Sequence, residues 1–240
     1  MTTHLTTLRA REPVAHGTVA FAFDKPAGFA FEPGQAIDVV LAEPPSGDAQ
    51  SARHTFSIVS APFEDRLAVA TRMRDSAFKR ALGALPVGAA ITIEGPFGSL
   101  TLHTDRTRAA VFIAGGIGIT PFISMLRQAA HDRLAQRLLL LYSSRRPEDA
   151  AFLSELQALE TQHPHFTLVA TMTAMSTSTA PWSGAQGPID EPLLKRATAD
   201  LARPIYYVVG PPAMAEALRL TLNDAGLSDD DIRSEEFYGY

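Results

Sequence analysis

The sequence predicts a β + α/β chain of two domains. An antiparallel Greek-key β-barrel occupies residues 1–105, and a five-stranded doubly wound parallel sheet with crossover helices occupies residues 106–240. Three observations predict it. Short alternating segments punctuated by Pro and Gly fill the first part, and apolar runs take turns with helical stretches in the second. Between them, V-F-I-A-G-G-I-G-I-T-P at residues 111–121 runs from an apolar strand through three glycines into the start of a helix.

Taken in order, the barrel strands are expected at 19–23, 36–41, 56–59, 67–71 and 91–93, within a strand-like text that begins at Leu5. Turns fall at Lys25-Pro26, Pro33-Gly34, residues 44–47, Ala61-Pro62 and Gly95-Pro96-Phe97-Gly98. One helix interrupts them at 76–85, with Ser76 as its N-cap and Pro86 ending it. A polar stretch at 104–108 marks the boundary. Beyond it, strands are expected at 110–114, 138–142, 166–171, 205–209 and 232–237, and helices at 122–130, 149–160, 191–199 and 213–225. Thr120 is read as an N-cap and Pro121 as a first helical residue. Residues 172–187, rich in Ser, Thr and Ala, read as a mobile loop near the carboxyl ends of the strands, where such sheets bind ligands.

Composition narrows the function classes. The chain has no cysteine, which removes disulfides, thiol catalysis and any cysteine-ligated cluster or zinc within it. No apolar stretch is long enough to span a membrane, and residues 1–11 lack the apolar run of a secretory signal, so a cytoplasmic protein is expected. The net charge of −5 argues against nucleic acid as a partner. To Arg108 there are 11 basic and 11 acidic residues, so the whole acidic excess lies in the second half. The seven histidines show no metal spacing; His163-Pro164-His165 stands alone, and His16, His103 and His131 read as surface residues. No G-x-S-x-G supports a serine hydrolase.

The glycine turn has two readings. Its glycines let a backbone approach a pyrophosphate that the first helical N–H groups attract, or they serve only the φ angles of the turn. The helix at Ser76 is likewise an anion site by its dipole. Arg72, Arg74, Lys79 and Arg80 surround its start against one acid, Asp75, either as a solvated face, as a phosphate site, or as a dock for an acidic electron carrier.

Four stretches, in this order and spacing, resemble the ferredoxin–NADP reductase superfamily of flavin-dependent oxidoreductases. They are His54-Thr55-Phe56-Ser57-Ile58-Val59-Ser60; Arg74-Asp75-Ser76-Ala77-Phe78 with Leu82 and residues 95–98; the glycine turn; and Val209-Gly210-Pro211-Pro212 with Ile232-Arg233-Ser234-Glu235-Glu236-Phe237. The resemblance implies that Phe56 packs on the isoalloxazine and that Ser57 places a hydroxyl near the flavin N5. Arg53, His54, Ile58, Val59, Arg72, Met73, Arg74, Ser76, Ala77 and Phe78 would line the rest of the flavin site, with Phe237 covering the ring. The family's motif carries arginine where this chain has His54, and Arg53 comes one residue early, pointing to the opposite face of a regular strand. His54 would then be a weaker, pH-dependent phosphate ligand.

For the dinucleotide, the resemblance implies Gly115, Gly116, Gly118, Ile119, Thr120 and Pro121 at the pyrophosphate. It places Ser143, Arg145 and Arg146 beyond Tyr142, and Gly210, Pro211 and Met214 near the nicotinamide. Arg145 and Arg146 suit a 2′-phosphate, whereas Thr171-Met172-Thr173 lacks the Ser-Arg pair common in NADPH users, so the NADH or NADPH preference stays open. Glu235 matches a glutamate that tunes hydride transfer, with Ser57 assisting. The implied activity passes hydride from NAD(P)H to bound FAD, or FMN, across about 3–3.5 Å. Electrons then go to a separate acceptor such as a ferredoxin, a flavodoxin or an oxygenase component, and the protein is expected to be monomeric. Two alternatives remain: reduction of free flavin as a substrate, and a non-catalytic electron-relay subunit of a larger complex.

Overall fold

The computed structural model describes residues 2–236 except Ser46 and Asp48. The chain forms two compact units. One comprises residues up to Thr101 together with Thr120–Gln128, and the other Leu102–Ile119 together with the residues from Ala129 on.

The first unit is built on six strands: β1 (Thr2–Ala15), β2 (Thr18–Asp24), β3 (Ala36–Val40), β4 (Arg53–Ser57), β5 (Arg66–Arg72) and β6 (Ala90–Phe97). They pair antiparallel in the order β4-β3-β6-β1-β2-β5. Just past β4, Ile58 bridges Val69 of β5, and the Val59 N–H donates to Ala68 O at 2.8 Å. That joins the two outer strands and closes the sheet into a barrel, which removes the exposed edges. Phe21, Phe23, Ile37, Val39, Ile58 and Leu67 are fully buried at its centre.

The sequence separates five barrel strands, and the described residues form six. The additional one is β1, whose alternation is broken by Pro13 and by register irregularities between Leu8 and Ala10 and between Pro13 and Ala15. Leu5, on the same strand, is 74% exposed, so the apolar pattern there carries no signal of burial. The helix α1 (Ala77–Ala84) forms as expected. Ser76, extended at φ −140° and ψ 133°, caps it by accepting from the Lys79 N–H.

The second unit holds β7 (Ala110–Gly115), β8 (Leu138–Ser144), β9 (Phe166–Met172), β10 (Ala185–Gln186), β11 (Ile205–Gly210) and β12 (Ile232–Glu236). All pair parallel, in the order β10-β9-β8-β7-β11-β12. The helices α2 (Thr120–His131), α3 (Leu153–Gln162), α4 (Glu191–Thr198) and α5 (Pro212–Asp224) accompany the sheet in sequence. The continuous burial of β7 and β11, every residue of each, explains why their sequences read as unbroken apolar runs.

Three details differ from expectation. The sheet has six strands, because the Ser/Thr-rich segment 172–187 supplies β10 and is tied down: Trp182 Nε1–H donates to Ala185 O at 2.8 Å, and Thr171 Oγ1 to Gly187 O at 2.7 Å. A 3-10 turn over Gly116–Ile119 leads directly into α2, so Thr120 is already helical and not a cap. The third helix begins at Leu153 and not at Asp149, because Phe152 adopts a left-handed conformation at φ 60° that interrupts the winding. No helix of the described residues is long and apolar enough to cross a membrane.

Candidate functional site

Strand β4 sorts its side chains as a regular strand must. Residues 54 and 56 lie opposite Val39 and Ile37 of β3, on the face of the barrel core, while Arg53 and Thr55 lie opposite Val40 and Asp38. No bulge re-aims Arg53. Its Nη1 donates to Asp38 Oδ2 at 2.8 Å and Glu94 Oε2 at 2.6 Å, and the Thr55 hydroxyl also bonds to Asp38. Two carboxylates therefore hold this guanidinium away from the His54 face. Phe56 is 6% exposed because the His54 ring lies over it, with centroids 4.6 Å apart and planes 14° apart. Phe78 of α1 completes the cluster, 5.4 Å from His54 and 6.0 Å from Phe56. Ser57, Ile58 and Val59 follow, all buried.

Burial keeps the His54 imidazole below its ordinary pKa, and the nearby Lys79 ammonium pushes the same way. Its Nδ1 lies 2.9 Å from Thr55 O, and a carbonyl only accepts, so the neutral ring carries its hydrogen there. Nε2 is then an acceptor. Until it is protonated, His54 is a poor ligand for a phosphate oxygen.

The positive charge comes from elsewhere. Lys79, in the first turn of α1, is only 8% exposed, and its ammonium donates to Arg72 O at 3.0 Å. Burial, and then the charge of Arg74, lower its pKa. A cation in a first helical turn opposes the helix dipole. The one acid in the segment, Asp75, is exposed and pairs with Arg80. The start of α1 thus gathers Arg72, Arg74, Lys79 and the positive end of the helix dipole, with no carboxylate bonded to Lys79 among the described residues. That donor set suits a phosphate or pyrophosphate. In sequence Lys79 reads only as one member of a basic run, because nothing local reports its burial. Met73 packs against the barrel core, and Ala77 is half-buried.

The glycine turn is positioned by packing as well as by φ. A Cβ on Gly118 would lie 2.4 Å from Val209 O, and one on Gly115 would lie 2.6 Å from Met214 Sδ and 2.9 Å from Pro211 Cδ. A Cβ on Gly210 would lie 2.8 Å from Met214 Cε and 3.2 Å from Gly115 N. These three glycines let the ends of β7 and β11 and the start of α5 converge. Gly116, at φ 54°, and Ile117 are the partly exposed part of the turn, whereas Ile119, Thr120 and Pro121 are buried.

Beside this turn, Ser143 of β8 is in register with Gly115. Past β8, Arg145 is exposed, but Arg146 is engaged: Nε and Nη2 grip Asp149 Oδ2 and Oδ1 at 2.7 and 2.9 Å, and Nη1 donates to Thr177 O at 3.2 Å. The Asp149 side chain is 3% exposed. Breaking a buried pair of this kind costs about 3–5 kcal/mol, more than the ~1.5–3 kcal/mol that a hydrogen bond to a charged group returns. Hydrogen bonds from its own backbone N–H, then from the Thr179 N–H at 2.9 Å and the Ser178 hydroxyl at 2.8 Å, hold the Glu148 carboxyl down at about 2.

Glu235 of β12 pairs in register with Val209 and is partly buried; burial pushes its carboxyl above the usual range. Phe237 lies outside the described residues.

His103, expected at the surface, is 6% exposed. Its Nδ1 and backbone N–H both lie 2.8 Å from the Tyr207 hydroxyl, and Gln136, whose Oε1 accepts from Arg106, turns its amide nitrogen to within 2.8 Å of Nε2. Burial lowers its pKa, with Arg233, Arg108 and Arg106 acting in the same direction against the Arg108 carbonyl. The sign follows from linkage: a base whose folded pKa is lowered stabilises the fold fully above its unfolded pKa, about 6.5, and loses that contribution as pH falls. Thermal stability is therefore expected to fall with acidification below about pH 6.5 more steeply in the wild type than in His103→Asn. Equal pH slopes for the two proteins would refute this.

The oxidoreductase NAD-binding domain model matches residues 112–219, which span β7 and the glycine turn through most of α5. The glycine betaine monooxygenase reductase subunit of Chromohalobacter salexigens is 27% identical over 222 residues, covering 92% of this chain and 60% of that protein. The chain spans 57–67% of the length of seven such oxygenase reductase components. Among solved structures, a ferredoxin NADP+ reductase from Neisseria gonorrhoeae with bound FAD and NADP superposes with a TM-score of 0.82 at 22% identity, over 98% of this chain and 99% of that one. Ferredoxin–NADP reductase B of Sorangium cellulosum is 30% identical over 243 residues, covering 96% of each protein. With the closed barrel, the parallel sheet and this full-length similarity, the chain belongs to the ferredoxin–NADP reductase family of FAD/NAD(P) oxidoreductases.

Proposed function

We propose that the chain is a monomeric, cytoplasmic flavoprotein that oxidises NAD(P)H and passes electrons to a separate acceptor, a ferredoxin or an oxygenase component. Residues 1–105 would form its flavin domain and 106–240 its nucleotide domain. The observation that carries this reading is the cluster of Arg72, Arg74 and buried Lys79 at the first turn of α1, in a member of this family. When bound, FAD supplies the two-electron and one-electron chemistry.

The chain's own residues do the rest. Lys79 and the N–H groups of the first turn would hold the phosphates, and Arg72 and Arg74 would add long-range attraction. His54, stacked on Phe56 and tilted against Phe78, offers an aromatic surface for the ring, and Ser57 stands beside them in sequence with a hydroxyl to donate. Gly115, Gly116 and Gly118 would shape the pyrophosphate seat. Glu235, with its raised pKa, would hold a proton near neutral pH more readily than an ordinary glutamate.

One observation favours a second reading, in which flavin is a dissociable substrate. Arg53 is bound to Asp38 and Glu94, and neutral His54 does not replace its charge. Gel filtration of the freshly purified protein distinguishes the two. Flavin that co-elutes with the chain, together with NAD(P)H-driven reduction of ferricyanide, is the expected result. A colourless protein that turns over only with added flavin would replace the first reading by the second. A protein that holds flavin but reduces no dye would be an electron relay.

A further inference from the structure

We propose that the end of β8 selects NADH over NADPH. The inference rests on reading the second unit as the nucleotide-binding unit, and it concerns the adenosine ribose. In open parallel sheets, the pyrophosphate lies at the turn after one strand and the ribose at the end of the next, where an acid suits a 2′-hydroxyl and free arginines suit a 2′-phosphate. Here the turn follows β7, and the next strand is β8, whose Ser143 is level with Gly115.

Four charged residues follow β8 within five positions. In sequence, Arg145 and Arg146 read as a clamp for a phosphate. The structure removes one of them, since Arg146 is bidentate on the buried Asp149 and also bonded to Thr177 O. Recruiting it to a ligand would strand a buried carboxylate, which is worth more than one phosphate hydrogen bond. Glu148 adds a fixed negative charge, pinned by Ser178 and Thr179 from the segment after β9. The chain after β9 is itself fastened to this end of β8, since the Thr173 and Ala174 N–H groups donate to Ser144 O and Arg145 O at 2.9 and 2.8 Å. The four charges cancel. A 2′-phosphate brings between one and two negative charges to a segment whose own four charges sum to zero, with Arg145 as its one cation outside the Arg146–Asp149 pair, whereas a 2′-hydroxyl brings none.

The probes are 5′-AMP and 2′,5′-ADP, which differ only in the 2′-phosphate, titrated calorimetrically into the purified protein; the readout needs no turnover. The expected result is that 2′,5′-ADP binds no more tightly than 5′-AMP, and that kcat/KM for NADH exceeds that for NADPH at least tenfold. Glu148→Gln, a partly buried substitution that keeps the side chain's shape and leaves the Arg146–Asp149 pair intact, should move the binding ratio toward 2′,5′-ADP severalfold. Asp149→Ala should move it further by releasing Arg146, with circular dichroism reporting whether it folds. A wild type that prefers 2′,5′-ADP or NADPH tenfold overturns the proposal while leaving the nucleotide reading intact. Binding of neither probe, with no oxidation of either dinucleotide, overturns both.

Discussion

Gly118→Ala is expected to lose about two orders of magnitude in NAD(P)H-driven dye reduction and to unfold several degrees below the wild type. The added Cβ would stand 2.4 Å from Val209 O and 2.8 Å from Val209 C, both backbone atoms of a central strand that cannot give way cheaply. Overpacking of this kind costs roughly 1–3 kcal/mol, and in a domain of this size each kcal/mol shifts Tm by about 2–4 °C. The turn has to move off β11, and displacing a bound reactant by about 1 Å can cost ~10²-fold in rate. Gly83→Ala is the contrast. Its Cβ would meet only the mobile end of Met73 at 2.9 Å, and replacing a glycine within a helix gains up to about 1 kcal/mol, so this variant should be as stable as the wild type or more so. Wild-type activity and Tm in Gly118→Ala would show that the turn is neither tightly packed nor part of the nucleotide site.

Lys79→Met is expected to weaken FAD by about 10- to 150-fold, the factor that corresponds to losing one charge-assisted hydrogen bond of ~1.5–3 kcal/mol. FMN should suffer similarly, and riboflavin, which has no phosphate, should be unaffected. Stability should move the other way. Burial lowers the pKa of Lys79, so folding disfavours its charge, and an apolar side chain of similar length should leave Tm unchanged or raise it. Lys79→Arg should recover much of the FAD affinity. Equal losses for FAD and riboflavin would mean that Lys79 shapes the site without touching phosphate, and unchanged FAD affinity would remove it from the site altogether.

The fold was legible where side chains alternate or run apolar for a structural reason. The buried strands β7 and β11 announced themselves because both faces are covered, and Ser76 was readable as a cap because few other residue types end an extended segment that way. Strand β1 was not separated, since an exposed Leu5 and the bulges around Pro13 leave no period of two. Among the candidate site residues, strand alternation alone foretold that Arg53 faces away from His54; the two carboxylates that hold it there lie on other strands and could not be read from its neighbours in sequence. Lys79 and Arg146 show the same limit from opposite sides. Both read as cations in basic runs, yet one is buried with no carboxylate bonded to it among the described residues and the other is bound to Asp149. Whether a charge is available to a ligand depends on burial and pairing across the fold. Nothing in local sequence reports either, and the same holds for His103, whose partners Gln136 and Tyr207 are far along the chain.

The account as a whole is tested most directly by adding NADH, and separately NADPH, to the flavin-loaded protein under anaerobic conditions while following the visible absorbance of the flavin. It predicts that the absorbance bleaches, fully and within seconds for NADH and more slowly or at higher concentration for NADPH. Flavin that stays oxidised in the presence of both would contradict it.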